Sequence, residues 1–150
     1  MTITPIPDLR RVGMALLRQR FPAQLGSIPI AGGKEILRVR DAEVDNLREF
    51  LAQHDYFARV GLIPGRTTPH GVSAALDFDI FALTDSAAGD LSRAIDAWLM
   101  DSPLALRVAS GPLTGASLDT VVSQMSPDTV PWADAGVRRY YSSYAVTARR

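Results

Sequence analysis

Val72-Ser-Ala-Ala-Leu-Asp-Phe-Asp-Ile-Phe-Ala-Leu83 is the stretch from which the fold can be read. Leu76, Phe78, Ile80 and Ala82 fall on one side of an extended chain and Asp77 and Asp79 on the other, the period-two pattern of a strand with one covered face. Its length predicts a central position in a sheet. Thr84 or Asp85 follows as a helix cap, and the next residues to about Met100 repeat at helical spacing. Ala88, Leu91, Ile95, Trp98 and Leu99 make an apolar stripe opposite Asp90, Arg93 and Asp96. A strand with one face to hide, followed by a helix with one stripe to hide, predicts an α+β arrangement.

Upstream, Tyr56 to Ile63 reads as a further strand, and Pro64-Gly-Arg-Thr-Thr-Pro-His-Gly71 as a polar, turn-rich loop. That loop is a candidate contact arm through Arg66, Thr67 and His70. Asp41 can cap a helix to about His54, with Val44, Leu47, Phe50 and Leu51 on one face and Asp45, Arg48 and Glu49 on the other. Glu35 to Arg40 reads as a short strand after a Gly- and Pro-rich loop from Ala23 to Lys34. The first helix is expected from about Pro5 to Arg20 with Thr4 as its cap, burying Leu9, Val12, Leu16 and Leu17 and turning Arg10, Arg11, Arg18 and Gln19 elsewhere. Phe21-Pro22 ends it.

Downstream, Leu104 to Val108 reads as a short strand, Gly111 to Gly115 as a turn, Leu118 to Met125 as a strand and Ser126 to Gly136 as a connection. The last strand, Val137 to Ala148, puts Tyr140, Tyr144, Val146 and Ala148 on one side and Arg139, Tyr141, Ser143 and Thr147 on the other. Tyrosines on both sides suit a strand with two occupied faces. No repeat, heptad or linker divides the chain, so residues 1–150 are expected to form one domain: a mainly antiparallel sheet packed with two or three amphipathic helices.

Composition narrows the function classes. Sixteen Lys and Arg balance sixteen Asp and Glu, so no global field draws the chain to nucleic acid or an anionic membrane. Zero net charge with 47% hydrophobic residues does little to keep copies apart, which suits a subunit covered by partners. The absence of cysteine excludes disulfides, thiolate nucleophiles and Cys-ligated metals. The amino terminus lacks a basic start followed by an apolar run, and no stretch approaches the roughly 18 consecutive apolar residues of a membrane span. A soluble protein made in the cytosol, without membrane contact, is expected.

Few residues point to chemistry. Asp77 and Asp79 stand about 7 Å apart by strand rise, where a divalent cation could be held by a metal-dependent enzyme. No third ligand is evident, and the simpler account is the solvent or interface side of a half-buried strand. His54 and His70 sit in no metal pattern and beside no serine nucleophile. Gly32-Gly-Lys-Glu35 fails as a phosphate loop because Glu35 stands where Ser or Thr would bind magnesium. Arg138-Arg139-Tyr140-Tyr141 mixes the residue types that grip single-stranded nucleic acid. Strand alternation splits it between two faces, so packing and interface contacts through Arg138, Arg139 and Tyr141 are the simpler account. Arg38, Arg40, Arg149 and Arg150 would lie near strand ends, in solvent or lining a channel of an oligomer. No catalytic, cofactor or metal residue is assigned.

The order of elements from Ala74 onward is similar to that of a known family. A long strand, an amphipathic helix with a Trp, a strand of polar alternation and then Pro127-Asp-Thr-Val-Pro-Trp-Ala-Asp-Ala-Gly-Val-Arg-Arg-Tyr-Tyr-Ser-Ser-Tyr-Ala-Val-Thr-Ala-Arg149 resemble the tail terminator proteins of long-tailed bacteriophages, including those of actinobacterial hosts. Pro7-Asp-Leu-Arg-Arg-Val-Gly-Met-Ala-Leu-Leu-Arg-Gln-Arg-Phe-Pro22 resembles that family's first helix. The resemblance covers most of the chain in order and spacing. The Asp41 to His54 helix stands outside the pattern and reads as an outer decoration. The resemblance implies a virion structural protein and not an enzyme, in the form of a six-membered ring that caps the tail tube, ends its polymerisation and presents a surface to the head. Its implied partners are copies of itself, the tube protein, a head–tail connector or stopper and the tape measure protein, with genomic DNA only passing through the lumen. The sheet and its edges would make subunit contacts, while loops meet the tube and connector. Another connector or minor tail protein is the alternative within the same junction.

Overall fold

The computed structural model describes residues 8–25, 27–31, 34–37, 39–40, 47–102 and 105–149. The chain runs through α1 (Leu9–Arg20), α2 (Pro22–Leu25), β1 (Ser27–Ala31), β2 (Lys34–Leu37), β3 (Val39–Arg40), α3 (Leu47–His54) and β4 (Phe57–Thr68). It continues through β5 (Gly71–Ala82), α4 (Asp85–Asp101), β6 (Leu106–Arg107), β7 (Ser117–Leu118), β8 (Thr120–Val130) and β9 (Arg138–Arg149). The main sheet has the order β3-β4-β5-β9-β8. The pairs β4–β5, β5–β9 and β9–β8 are antiparallel, and β3 alone lies parallel to its neighbour. An α+β fold with a mainly antiparallel sheet is therefore what the sequence encodes.

The stretch that led the reading lies at the centre. β5 is the middle strand, paired with β9 along its whole length from Gly71↔Arg149 to Ala82↔Arg138. One face of the sheet, carrying Ala58, Val60, Leu76, Phe78, Ile80, Tyr144 and Val146, is covered by α1 and α4. α1 seats closely because residue 13 is a glycine: a Cβ there would stand 3.2 Å from Leu76 Cδ1. Val12, Leu16 and Leu17 are buried on this face, each contributing about 1.5–3 kcal/mol by leaving water. A second, smaller cluster lies on the opposite face at one end, where α3 brings Leu47 and Leu51 to Phe57, Phe81 and Val137.

Several boundaries differ from the sequence reading. α1 begins at Leu9, and its cap is Asp8, whose carboxylate accepts from Arg10 N–H at 2.9 Å. Asp8 itself is extended, so no helix runs through it from Pro5; Thr4 lies outside the described residues. The expected loop from Ala23 to Lys34 contains the α2 turn and β1, which pairs antiparallel with β2 through Ala31↔Lys34. Gly and Pro outweighed the β-branched Ile28 and Ile30 in that reading. The expected strand Glu35–Arg40 divides into β2, in the small hairpin, and β3, at the edge of the main sheet. Residues 41–46, including the expected cap Asp41, lie outside the described residues, as does Leu104.

The loop expected at Pro64 to Gly71 is mostly strand. β4 continues to Thr68, and only Pro69 and His70 turn. The ladder slips between Pro64 and Thr67, which accommodates a proline that cannot donate to its neighbour. The expected connection from Ser126 to Gly136 likewise begins as strand, since β8 runs to Val130 through Pro127 with slips on either side of Met125. Asp96 does not point away from the sheet. It accepts the Tyr144 hydroxyl at 2.7 Å, tying α4 to β9.

Candidate functional site

The face of the sheet away from α1 and α4 holds most of the candidate residues, in rows set by strand register. Antiparallel partners share a face, so Phe57, Phe81, Arg139 and Val130 form one row and Arg59, Asp79, Tyr141 and Asp128 the next. Gly61, Asp77, Ser143 and Met125 form a third, and Ile63, Ala75, Ala145 and Val122 a fourth. The face therefore changes along the strands from aromatic through charged to aliphatic.

The charged row is closed on itself. Asp79, only 6% exposed, accepts Arg59 Nε and Nη2 on Oδ2 at 3.1 and 3.0 Å and Arg139 Nε on Oδ1 at 2.7 Å. Both guanidiniums stand near the ring of Trp132, their carbons 5.6 and 5.4 Å from its centroid. Trp132 in turn meets Phe81 edge-on. A buried carboxylate needs such compensation, because two paired cations replace the water it has lost. Asp77 accepts Ser143 Oγ at 2.7 Å. The Tyr141 hydroxyl titrates above its ordinary value, first because it is partly buried and next because of its hydrogen bond with Asp77.

This geometry bears on the metal alternative. Asp77 and Asp79 do share a face, as read, but a cation at Asp79 would have to displace two guanidiniums. Among the described residues no three His, Asp or Glu side chains gather as a ligand set.

The residues expected at an interface fall into three places. Arg66, Thr67 and His70 lie exposed at the β4–β5 hairpin end, which is stitched internally by Arg66 N–H to Ser73 Oγ at 3.1 Å and Thr68 Oγ1 to Gly71 O at 3.3 Å. Arg139 and Tyr141 lie on the open face, with Arg139 turned inward to Asp79. Arg138 projects to the other side, 3.8 Å from Asp85.

Sequence reasoning missed the aliphatic row. Ile63 is 57% exposed, Val122 61%, and Met125 in the adjacent row 51%. Between Ile63 and Val122 stand only the methyl groups of Ala75 and Ala145, so the strip is flat. Val121 and Val122 are adjacent and so face opposite sides of a strand, which marks both sides as apolar there, but only register shows that Ile63 and Val122 share a row. Trp132 and Arg59 were also missed, for their partners are distant in sequence.

The fold and this face define a small α+β domain with one sheet face packed by helices and the other open beyond α3. No family model and no curated protein matches the sequence. Among the described residues no helix is long and apolar enough to cross a membrane.

Proposed function

We propose that this chain is a virion structural subunit that caps the completed tail tube of a long-tailed bacteriophage as a ring, ends tube polymerisation and offers the surface for head–tail joining. The observation that carries the assembly role is the flat Ile63–Ala75–Ala145–Val122 row with Met125 beside it. A contiguous apolar strip rimmed by polar groups is the kind of surface another protein covers. The tail-terminator assignment rests on the resemblance of the chain from its first helix to its Arg- and Tyr-rich last strand.

Termination has a simple physical form. A head-to-tail contact whose rotation closes gives a ring instead of a filament, and a ring with unlike faces accepts the tube on one and refuses further tube subunits on the other. The partners in this reading are copies of the chain, the tube protein, a connector or stopper and the tape measure protein, with DNA passing through the lumen. The place is the virion, at the junction of head and tail.

Native mass measurement with negative-stain imaging tests the reading. Rings of six 16.3 kDa chains that arrest growth of tube protein are expected. Rings that leave tube growth unaffected point to a connector or minor tail protein, and a chain that stays single even with tube protein sinks the assembly role.

A further inference from the structure

The aliphatic strip is flanked on the open face by two unlike rows at equal distance. Asp77 and Ser73 lie two residues to either side of Ala75 on β5, about 7 Å along the strand. Ser73 shares its row with Thr147 and Thr120, and Arg66 joins it because the β4 ladder slips between Pro64 and Thr67. The Arg66 N–H donates to Ser73 Oγ at 3.1 Å, and Arg66 lines a shallow hollow with Ser73, Thr120 and Thr147. One flank of the strip is thus basic and rich in hydroxyls, and the other is acidic.

Each flank carries a charge that its own copy leaves unmet. The Ser143 and Tyr141 hydroxyls bond to the Asp77 carboxylate, but neutral donors leave its charge in place. Among the described residues no cation lies within ion-pair distance of Asp77, and no anion within that distance of the Arg66 guanidinium. Asp77 Oδ2 faces Gly61, where an added Cβ would stand 3.9 Å away, so the glycine leaves that oxygen open from the β4 side.

A twofold axis along the strip brings the two charges together. A second copy turned about it lies face to face on the first, with each strand over its own counterpart and the order of the rows reversed. Ile63, Ala75, Ala145 and Val122 then meet the same four residues of the second copy. The Ser73 row falls over the Asp77 row, and Arg66 falls over Gly61, beside Asp77 Oδ2. Packed sheets stand about 10 Å apart, a gap that a long arginine and a short aspartate span between them. An axis along the strands would instead set the acidic row on the acidic row, which like charges oppose.

We propose that two copies of this chain close face to face over the strip, with Arg66 of each seated over Gly61 and against Asp77 of the other. The contact is isologous, so the ion pair forms twice, and zero net charge leaves no field to keep the copies apart. The pairing rests on the strip being a surface that a protein covers, and not on the ring, whose head-to-tail contact is a different one. In the free chain it hides the strip, and it must open before another protein can use that surface.

A single cysteine is a clean probe, because the chain has none of its own. Sheets about 10 Å apart are too distant for a disulfide, so a short bismaleimide is the reagent. I63C, on the axis, is expected to join to itself as a covalent two-chain product in most of the protein, and A94C, exposed on α4, is not. Sedimentation of the full chain at low salt is expected to show a two-chain species that R66E weakens at least tenfold. D77R is expected to do the same, and R66E/D77R to recover association, with circular dichroism as the control for folding. Arg66 is exposed, so R66E reports on the contact even if D77R does not fold. A two-chain species that I63C does not join, or that R66E leaves intact, overturns this pairing. An unaltered chain that stays single overturns it too, and leaves the assembly reading to its own trial with tube protein. Rings of six in which I63C does not join to itself overturn the pairing and leave the ring standing.

Discussion

Asp79 shows how far one residue's role was readable. Its side of the strand follows from alternation in Leu76-Asp-Phe-Asp-Ile80, but its partners Arg59 and Arg139 lie 20 and 60 residues away, and only sheet register brings them together. Replacing Asp79 with Ala removes the carboxylate that Arg59 and Arg139 share, and breaking a largely buried ion pair by removing one partner costs about 3–5 kcal/mol. Urea unfolding at pH 7 should show that loss; a change under 1 kcal/mol would mean the cluster does not hold this face together. Tyr144 gives a pH-dependent counterpart. Burial pushes its hydroxyl well above the tyrosine range; Ser142 works against that rise, and the bond to Asp96 adds to it. A group whose ionisation is postponed by folding gives its full stabilisation below the unfolded value near pH 10 and loses it as pH rises toward the folded one. Stability should therefore fall above about pH 10, and Tyr144→Phe should flatten that fall at a cost of about 1–3 kcal/mol at neutral pH. Chemical unfolding at pH 8 and above pH 10 compares the two; equal slopes would show that another group governs the alkaline limb.

At the level of elements, the sequence served helices better than strand ends. α4 lies where Thr84 and the apolar stripe put it, with the Thr84 hydroxyl accepting Ala87 N–H at 3.1 Å. Helical caps and stripes are local signals, readable within a few residues. The 64–71 segment shows the opposite case, because Pro64, Gly65, Pro69 and Gly71 mark a loop locally, while pairing with β5 and the support of β9 as far as Arg149 make most of it strand. The α1 cap was misplaced for a related reason: Thr4 and Asp8 are both capping types, and only backbone geometry separates them. This hairpin end yields a prediction of its own. Arg66 and His70 are exposed, so R66A/H70A should leave unfolding free energy within about 0.5 kcal/mol while weakening assembly of the proposed ring with tube protein. Loss of solubility or a large stability change would show that these residues support the fold instead. α3 is a smaller example of long-range placement: Arg48 bonds Asp134 across the chain, and that guanidinium, then the Gly136 N–H, hold the Asp134 carboxyl below its ordinary range.

For the whole molecule, the division into a helix-covered face and a second face was legible from alternation alone. What the second face presents was not, since the aliphatic row exists only after four strands are brought into register. I63R/V122R tests that row: both positions are already exposed, so the fold should persist by circular dichroism while association falls at least tenfold. Unchanged association would move the contact elsewhere and leave the strip as ordinary surface. Charge tells a similar story, since a formal balance of zero concealed a basic helix, α1, and an acidic one, α4. One feature of the sheet carries further. Its long outer strand β8 and the stretch of β4 beyond Arg59, which pairs with no described strand other than β5, each contain a proline at or beside a slip in the ladder, Pro127 and Pro64. An incoming strand from a stranger would find, at both margins, a ring where it seeks a donor and a bend where it seeks a straight template. The sheet is thus a bounded tile whose rims resist growth into fibres.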